Sequence, residues 1–195
     1  TSAEVKSESD ACCTSSNALR IINALPGSEI IFIPDEFMAK NLTSQTSKRI
    51  ISWKGKCVVH EAFNLTQLQA VRNAYPNAKI LVHTECPPDV VREADLAGGT
   101  SDMISFVKKS GASEFMLVTE CGLTDRLRVE APGKKIVGTC NLCPYMKKIN
   151  LRNIKQALVS PTPEQVIEIP AGVRLKAKQA LDKMFELSAA PAAST

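Results

Sequence analysis

Along the chain, short continuous apolar runs alternate with segments whose apolar residues recur at helical spacing. Ile30-Ile31-Phe32-Ile33, Ile50-Ile51-Ser52-Trp53, Ile80-Leu81-Val82 and Phe115-Met116-Leu117-Val118 predict strands buried on both faces, because they are short, continuous and rich in β-branched residues. Lys135-Ile136-Val137 predicts a weaker fifth strand, and Cys57-Val58-Val59 and Cys12-Cys13 read as strand ends. Residues 15–25, 35–46, 65–75, 88–96, 102–109 and 122–130 carry the helical period, which is easy to see in Leu65, Leu68 and Val71. Alternation at this pace predicts an α/β fold with parallel sheets. Beyond it the pattern changes. Residues 150–158 predict a helix, and Pro161-Thr162-Pro163 breaks the chain. Residues 171–187 predict a long amphipathic helix with Val173, Ala177, Ala180, Leu181, Met184 and Leu187 on one side and a solvated basic face on the other. Residues 188–195 read as a frayed tail.

Composition narrows the class. With 195 residues, 44% hydrophobic and 23% charged, the chain is neither disordered nor a disulfide mini-protein, and it can bury one domain or two small ones. No apolar run approaches the roughly 18–20 residues of a membrane span, so no membrane partner is expected. A net charge of +4 suits a small anionic ligand, while one Trp and two Tyr leave little for base stacking, so no nucleic-acid partner is expected. Seven cysteines without an apolar leader read as reduced thiols of a cytoplasmic protein, some of them free to bind metal.

In an open parallel sheet, ligands bind beyond the carboxyl ends of the strands. The polar residues fall there: His60 after Cys57-Val58-Val59, then His83, Thr84, Glu85 and Cys86, then Thr119, Glu120 and Cys121, and finally Thr139, Cys140 and Cys143. Both histidines of the chain are in this set. Cys140-x-x-Cys143 leaves open a cluster or other metal, a redox pair and inert buried thiols, although the second ligand pair of a structural zinc site is absent. Two helix starts, Thr14-Ser15-Ser16-Asn17 and Gly98-Gly99-Thr100-Ser101-Asp102, offer backbone N–H groups to an anion or serve as plain caps.

Several blocks carry a resemblance: TSAEVK at 1–6, CTSSNA at 13–18, Pro34-Asp35, GKCVVH at 55–60, PNAKILVHTEC at 76–86, the stretch 94–101, CNLCPYM at 140–146 and Leu151-Arg152-Asn153-Ile154. Together they resemble the quinolinate synthase family from Thr1 to about Leu187. The resemblance implies small three-layer α/β domains with parallel sheets in a pseudo-threefold arrangement around one [4Fe-4S] cluster, each domain giving one cysteine. Cys57 and Cys143 match the second and third ligands. The first ligand, a catalytic Tyr and a substrate-binding His are expected ahead of Thr1. The chain is therefore expected to be a C-terminal portion, inactive alone. Its implied parts are residues 1–56 of the middle domain, a third domain at 57–143, and C-terminal helices and tail at 144–195.

The implied reaction condenses iminoaspartate with dihydroxyacetone phosphate, loses phosphate and two waters, and gives quinolinate for NAD biosynthesis. L-Aspartate oxidase or dehydrogenase would supply the imine. In the roles carried over, His60 is a donor or acid at the cluster's edge, or a residue that orients the Cys57 thiolate. Glu85 is the general base, able to exchange protons near neutral pH; its alternative role is a cap on a helix at 87–97. Ser15, His83, Thr84, Glu85 and Thr100 bind substrate. Thr84 stands where the family usually has Pro, and Gly99 where Ser is frequent. Cys140 is a neighbour of the cluster and the main rival to Cys143, and Asp35 has a loop role. Two other classes stay open: a non-enzymatic metal or iron–sulfur module, and a phosphate-binding α/β domain with inert cysteines.

Overall fold

In the computed structural model, which describes residues 1–189, the apolar runs become strands and the periodic segments become the helices between them. In chain order the elements are α1 (Ala3–Ser7), α2 (Ala18–Ala24), β1 (Glu29–Phe32), α3 (Glu36–Thr43), β2 (Arg49–Ser52), α4 (Leu65–Ala74), β3 (Lys79–His83), α5 (Pro88–Arg92), β4 (Leu96–Gly98), α6 (Thr100–Lys109), β5 (Glu114–Val118), α7 (Cys121–Glu130), β6 (Lys135–Val137), α8 (Leu151–Val159) and α9 (Ala171–Ala189). The fold is α/β with parallel sheets. β1 pairs with β2, and a four-stranded sheet has the order β4-β3-β5-β6.

Two compact units emerge. One spans Ser15–Leu142, and the other joins Thr1–Thr14 to the chain from Cys143 onward. In the larger unit, Leu81 lies opposite Leu117 across the β3–β5 ladder, and side chains one residue apart leave the sheet on opposite faces. Leu81, Phe115 and Leu117 pack with Met103 and Val107 of α6 and Leu123 and Leu127 of α7. On the other face Met116 and Val71 of α4 both border Gly138. Leu117 is almost fully buried in this cluster, so Leu117→Ala should cost about 2–5 kcal/mol through lost burial and the cavity left behind. Urea unfolding should show this as a lower midpoint with an unchanged slope. In the other unit, α1 packs on α9, which buries Ala177, Ala180 and Met184. The Cys12 N–H donates to Ala180 O at 2.9 Å.

Five sequence expectations need correction. Cys57-Val58-Val59 forms a turn in which Cys57 O accepts the Glu61 N–H at 2.9 Å; no neighbouring strand pairs with it. Cys12-Cys13 is irregular, because its first N–H bonds to a helix carbonyl instead of a ladder. Residues 15–17 are a turn ahead of α2. Helix α5 stops at Arg92, and Leu96–Gly98 becomes the edge strand β4, whose three residues are too few to show alternation. The tail expected at 188–195 starts inside α9, and from residue 190 onward it lies outside the described residues.

The strand order positions the chemistry. The chain leaves β3 for β4 on one side, then returns past β3 to β5 and β6 on the other. A topological switch point therefore lies between β3 and β5, where connections diverge and leave a crevice at the carboxyl edge.

Candidate active site

His83 ends β3, Glu85 follows it, and Thr119 and Glu120 follow β5, so all four residues border that crevice. The Cys57–His60 turn supplies the rest. His60 is buried with Nδ1 2.9 Å from Glu85 Oε2 and Nε2 3.0 Å from Thr119 Oγ1. One imidazole thus ties the ends of the two central strands together. His83 stacks on it, with ring centroids 4.3 Å apart and planes 11° from parallel. His83 Nδ1 accepts the Glu85 N–H at 3.3 Å, which fixes that nitrogen as unprotonated.

Cys57 completes the group. Donor atoms of Cys57, His60 and Glu85 all lie within 4.8 Å of one another, a set that could hold a metal ion. Asp35 sets the thiol's backbone: its Oδ2 accepts the Cys57 N–H at 3.0 Å while Oδ1 caps α3 through the Met38 N–H at 2.7 Å. The loop role expected for Asp35 is therefore to tie the start of α3 to this cysteine. Gly55 allows the close passage, since a Cβ there would meet Pro34 O at 2.5 Å.

The charges follow from these contacts. Burial pulls the His60 imidazole down, but hydrogen bonds to Cys57 and Glu85 and their charges outweigh it and carry the pKa up to about 9. His83 is pushed down to about 4, first by burial and then by the neighbouring His60 charge. Burial raises the Glu85 carboxyl, yet His60 and His83 overcome that and hold it below its usual range. The hydrogen bond from His60 lowers the Cys57 thiol against the opposing effect of burial. At neutral pH the stacked pair therefore carries one positive charge, on His60, beside an ionised Glu85. This corrects the expectation that Glu85 itself exchanges protons near neutrality. Its role as a helix cap fails as well, because the cap position of α5 is Pro87 and the Glu85 carboxylate is bonded to His60.

A pH dependence of stability follows. An unfolded histidine titrates near about 6.5. His60, raised to about 9, stabilises the fold fully below about 6.5, and that contribution is lost as pH rises to about 9. His83, lowered to about 4, has the opposite effect: the unfolded chain binds the proton first, so stability falls as pH drops from about 6.5 to about 4. Melting temperatures of the metal-free chain should decline on both sides of about pH 6.5. His60→Asn should flatten the alkaline side and His83→Asn the acid side.

Other expected site residues lie along the same edge. Gly98 pairs with His83, so α6 begins beside the histidines with Thr100 as its first residue. Ser15 is brought to that helix start, where a Cβ on Gly99 would meet Ser15 Oγ at 2.7 Å and Ser16 Oγ at 3.0 Å. The hydroxyls of Ser15 and Ser16 fill the space that a serine at 99 would use. Asp102 already takes the Gly99 N–H at 2.8 Å, which reduces what α6 can offer an anion. Thr84 Oγ1 is buried without a hydrogen-bond partner. In the other unit the buried Cys143 opens a turn whose Met146 N–H donates to its sulfur at 3.4 Å.

Cys140 is joined to Cys121 in a disulfide, with Cα atoms 5.0 Å apart. This overturns the reading of seven reduced thiols, the Cys140–Cys143 redox pair, and Cys140 as a rival ligand. The disulfide closes a clasp that sequence reading missed. Asn141 O accepts the Cys121 N–H at 3.1 Å, and its side-chain amide donates to Val59 O at 3.1 Å, next to His60. Asn41 does the same on the other side, donating to Thr84 O at 2.8 Å and Cys86 O at 2.9 Å. Neither asparagine carries a local sequence signal, because each partner is a distant backbone carbonyl.

Residues 1–186 match the family model described as quinolinate synthetase A protein. Quinolinate synthase 1 of Mesorhizobium japonicum is 45% identical over 185 residues, which are 95% of this chain and 56% of that relative. The quinolinate synthase of Sinorhizobium fredii is 42% identical over 96% of the chain and 52% of its own length, and that of Xylella fastidiosa 40% identical over 96% and 55%. The chain thus spans about half the length of the curated relatives it matches. Among the described residues no helix is long and apolar enough to cross a membrane.

Proposed function

The chain belongs to the quinolinate synthetase A protein family, and from that premise we propose that its crevice forms part of a quinolinate synthase site. Iminoaspartate and dihydroxyacetone phosphate are the substrates, and an L-aspartate oxidase or dehydrogenase supplies the imine in the cytoplasm. The observation that carries this reading is the His60–Glu85 pair at 2.9 Å, fixed by Thr119 at the switch point.

The cysteines fit a [4Fe-4S] cluster as far as they go. Cys57 and Cys143 lie outside the disulfide; His60 favours the Cys57 thiolate, and the Cys143 sulfur accepts the Met146 N–H. These two would hold the cluster with a third thiolate, as in the pseudo-threefold domain arrangement, with residues 57–143 as one of the domains. Bound there, the cluster supplies an open iron that acts as a Lewis acid.

The chain's own residues supply proton transfer. Glu85, held ionised, accepts a proton from the carbon beside the imine. His60, held protonated, gives its proton to a departing hydroxyl, and Thr119 keeps the ring in place through Nε2. His83, neutral, packs on His60 and can donate to substrate through Nε2. The unpaired Thr84 hydroxyl beside Glu85, with Ser15 and Thr100 at the start of α6, gives hydroxyls for the substrate's carboxylates and phosphate.

Complementation tests the reading. The full-length protein containing this chain should restore growth without pyridine supplement to a strain that lacks quinolinate synthase. A non-enzymatic metal module would give no growth.

A further inference from the structure

We propose that Asn41 is the positioning residue for Glu85, clamping the turn that carries the base through the carbonyls on either side of it. Its effect on turnover rests on the quinolinate synthase reading, whereas its grip on the turn needs only the present chain.

The Asn41 Nδ2 group donates to Thr84 O at 2.8 Å and to Cys86 O at 2.9 Å. One planar amide thus fixes the backbone both before and after Glu85. A neutral side chain that offers two N–H groups from one nitrogen must be a primary amide. Asn is a poor choice for a helix interior, and this pairing accounts for its place within α3.

Inside the turn, the Cys86 N–H donates to His83 O at 2.9 Å and the Glu85 N–H to His83 Nδ1 at 3.3 Å. Both bonds lead back to β3, and Asn41 adds a tie to a second element. That element is the helix whose cap, Asp35, accepts the Cys57 N–H at the start of the turn that carries His60. One rigid helix therefore holds both turns, from points about 9 Å apart along its axis. The quantity it sets is the 2.9 Å between Glu85 Oε2 and His60 Nδ1. A misplacement of about 1 Å at a reacting group can cost about 10²-fold in rate.

Asn41→Leu has nearly the parent's volume and no donor, and Asn41→Ala covers the case in which Leu fails to fold. In the reconstituted full-length protein either variant should lower kcat about 10²-fold while KM for both substrates and cluster absorbance stay near the parent's. Leu127→Ala removes a fully buried core side chain and none of these hydrogen bonds. It should lower the melting temperature at least as far as Asn41→Leu yet keep kcat near the parent's. In the present chain, hydrogen exchange at the Glu85 and Cys86 amides should quicken at least about tenfold in Asn41→Leu, while Leu81 and Leu117 keep their protection. Unchanged exchange at the turn would overturn the proposal. So would faster exchange with parental kcat and KM, which makes Asn41 a structural tie, or a raised KM at parental kcat, which makes it a substrate contact. A fall in kcat matched by Leu127→Ala at equal loss of melting temperature would overturn it too. An inactive parent would sink the quinolinate synthase reading instead, and the exchange result alone would then decide whether Asn41 holds the turn.

Discussion

Glu85→Gln in the full-length protein is expected to lower turnover by about 10²–10⁴-fold, the usual loss when a general base is removed. Cluster absorbance should stay near the parent's. Gln has almost the same shape and can still accept from His60, but it cannot take a proton from carbon. The structure removes the milder explanation, since the Glu85 carboxylate is bonded to His60 and Pro87 occupies the cap position of α5. The substitution also takes away the charge that helps carry His60 up to about 9, so the acid limb of the rate profile should weaken in parallel. Absorbance, melting temperature and turnover on one preparation separate the outcomes. Near-normal turnover with a lowered melting temperature would make Glu85 structural and place the base elsewhere.

Cys57→Ser and Cys143→Ser in the full-length protein should each remove the cluster, read as iron and sulfide per chain and as lost visible absorbance. Serine keeps the shape but replaces a soft thiolate with a hard, weakly acidic hydroxyl. Cys121→Ser and Cys140→Ser should keep the cluster, because those sulfurs are bonded to each other. Cys86 is a further contrast: it is fully buried, donates to Val118 O at 3.6 Å, and burial pushes its thiol far up. Bleaching in Cys140→Ser with retention in Cys143→Ser would move the ligand one position along the C-x-x-C.

The strands were legible wherever a run was buried on both faces. Ile80-Leu81-Val82 and Phe115–Val118 have no exposed side to interrupt the apolar run, so β3 and β5 appear in the sequence almost complete. The edge strand β4 was hidden because three residues, only one of them buried, leave no pattern. Val58-Val59 misled in the other direction, since β-branched residues pack equally well in the turn that carries His60. The meeting of His60, His83 and Glu85 was readable from their positions after apolar runs. Their protonation was not, because it depends on a ring stack and on Cys57, contacts set by the tertiary fold. The Cys121–Cys140 bond joins residues 19 apart with an odd number of cysteines to choose from, and spacing alone does not select that pair.

We propose that this crevice belongs to an enzyme that joins an imine of aspartate to a triose phosphate. The most direct measurement is mass spectrometry of the product after the full-length protein, reconstituted anaerobically with iron and sulfide, is given iminoaspartate and carbon-13-labelled dihydroxyacetone phosphate. The account predicts quinolinate carrying the three triose carbons, with phosphate released in equal amount. A fully loaded cluster that yields no labelled quinolinate would contradict it.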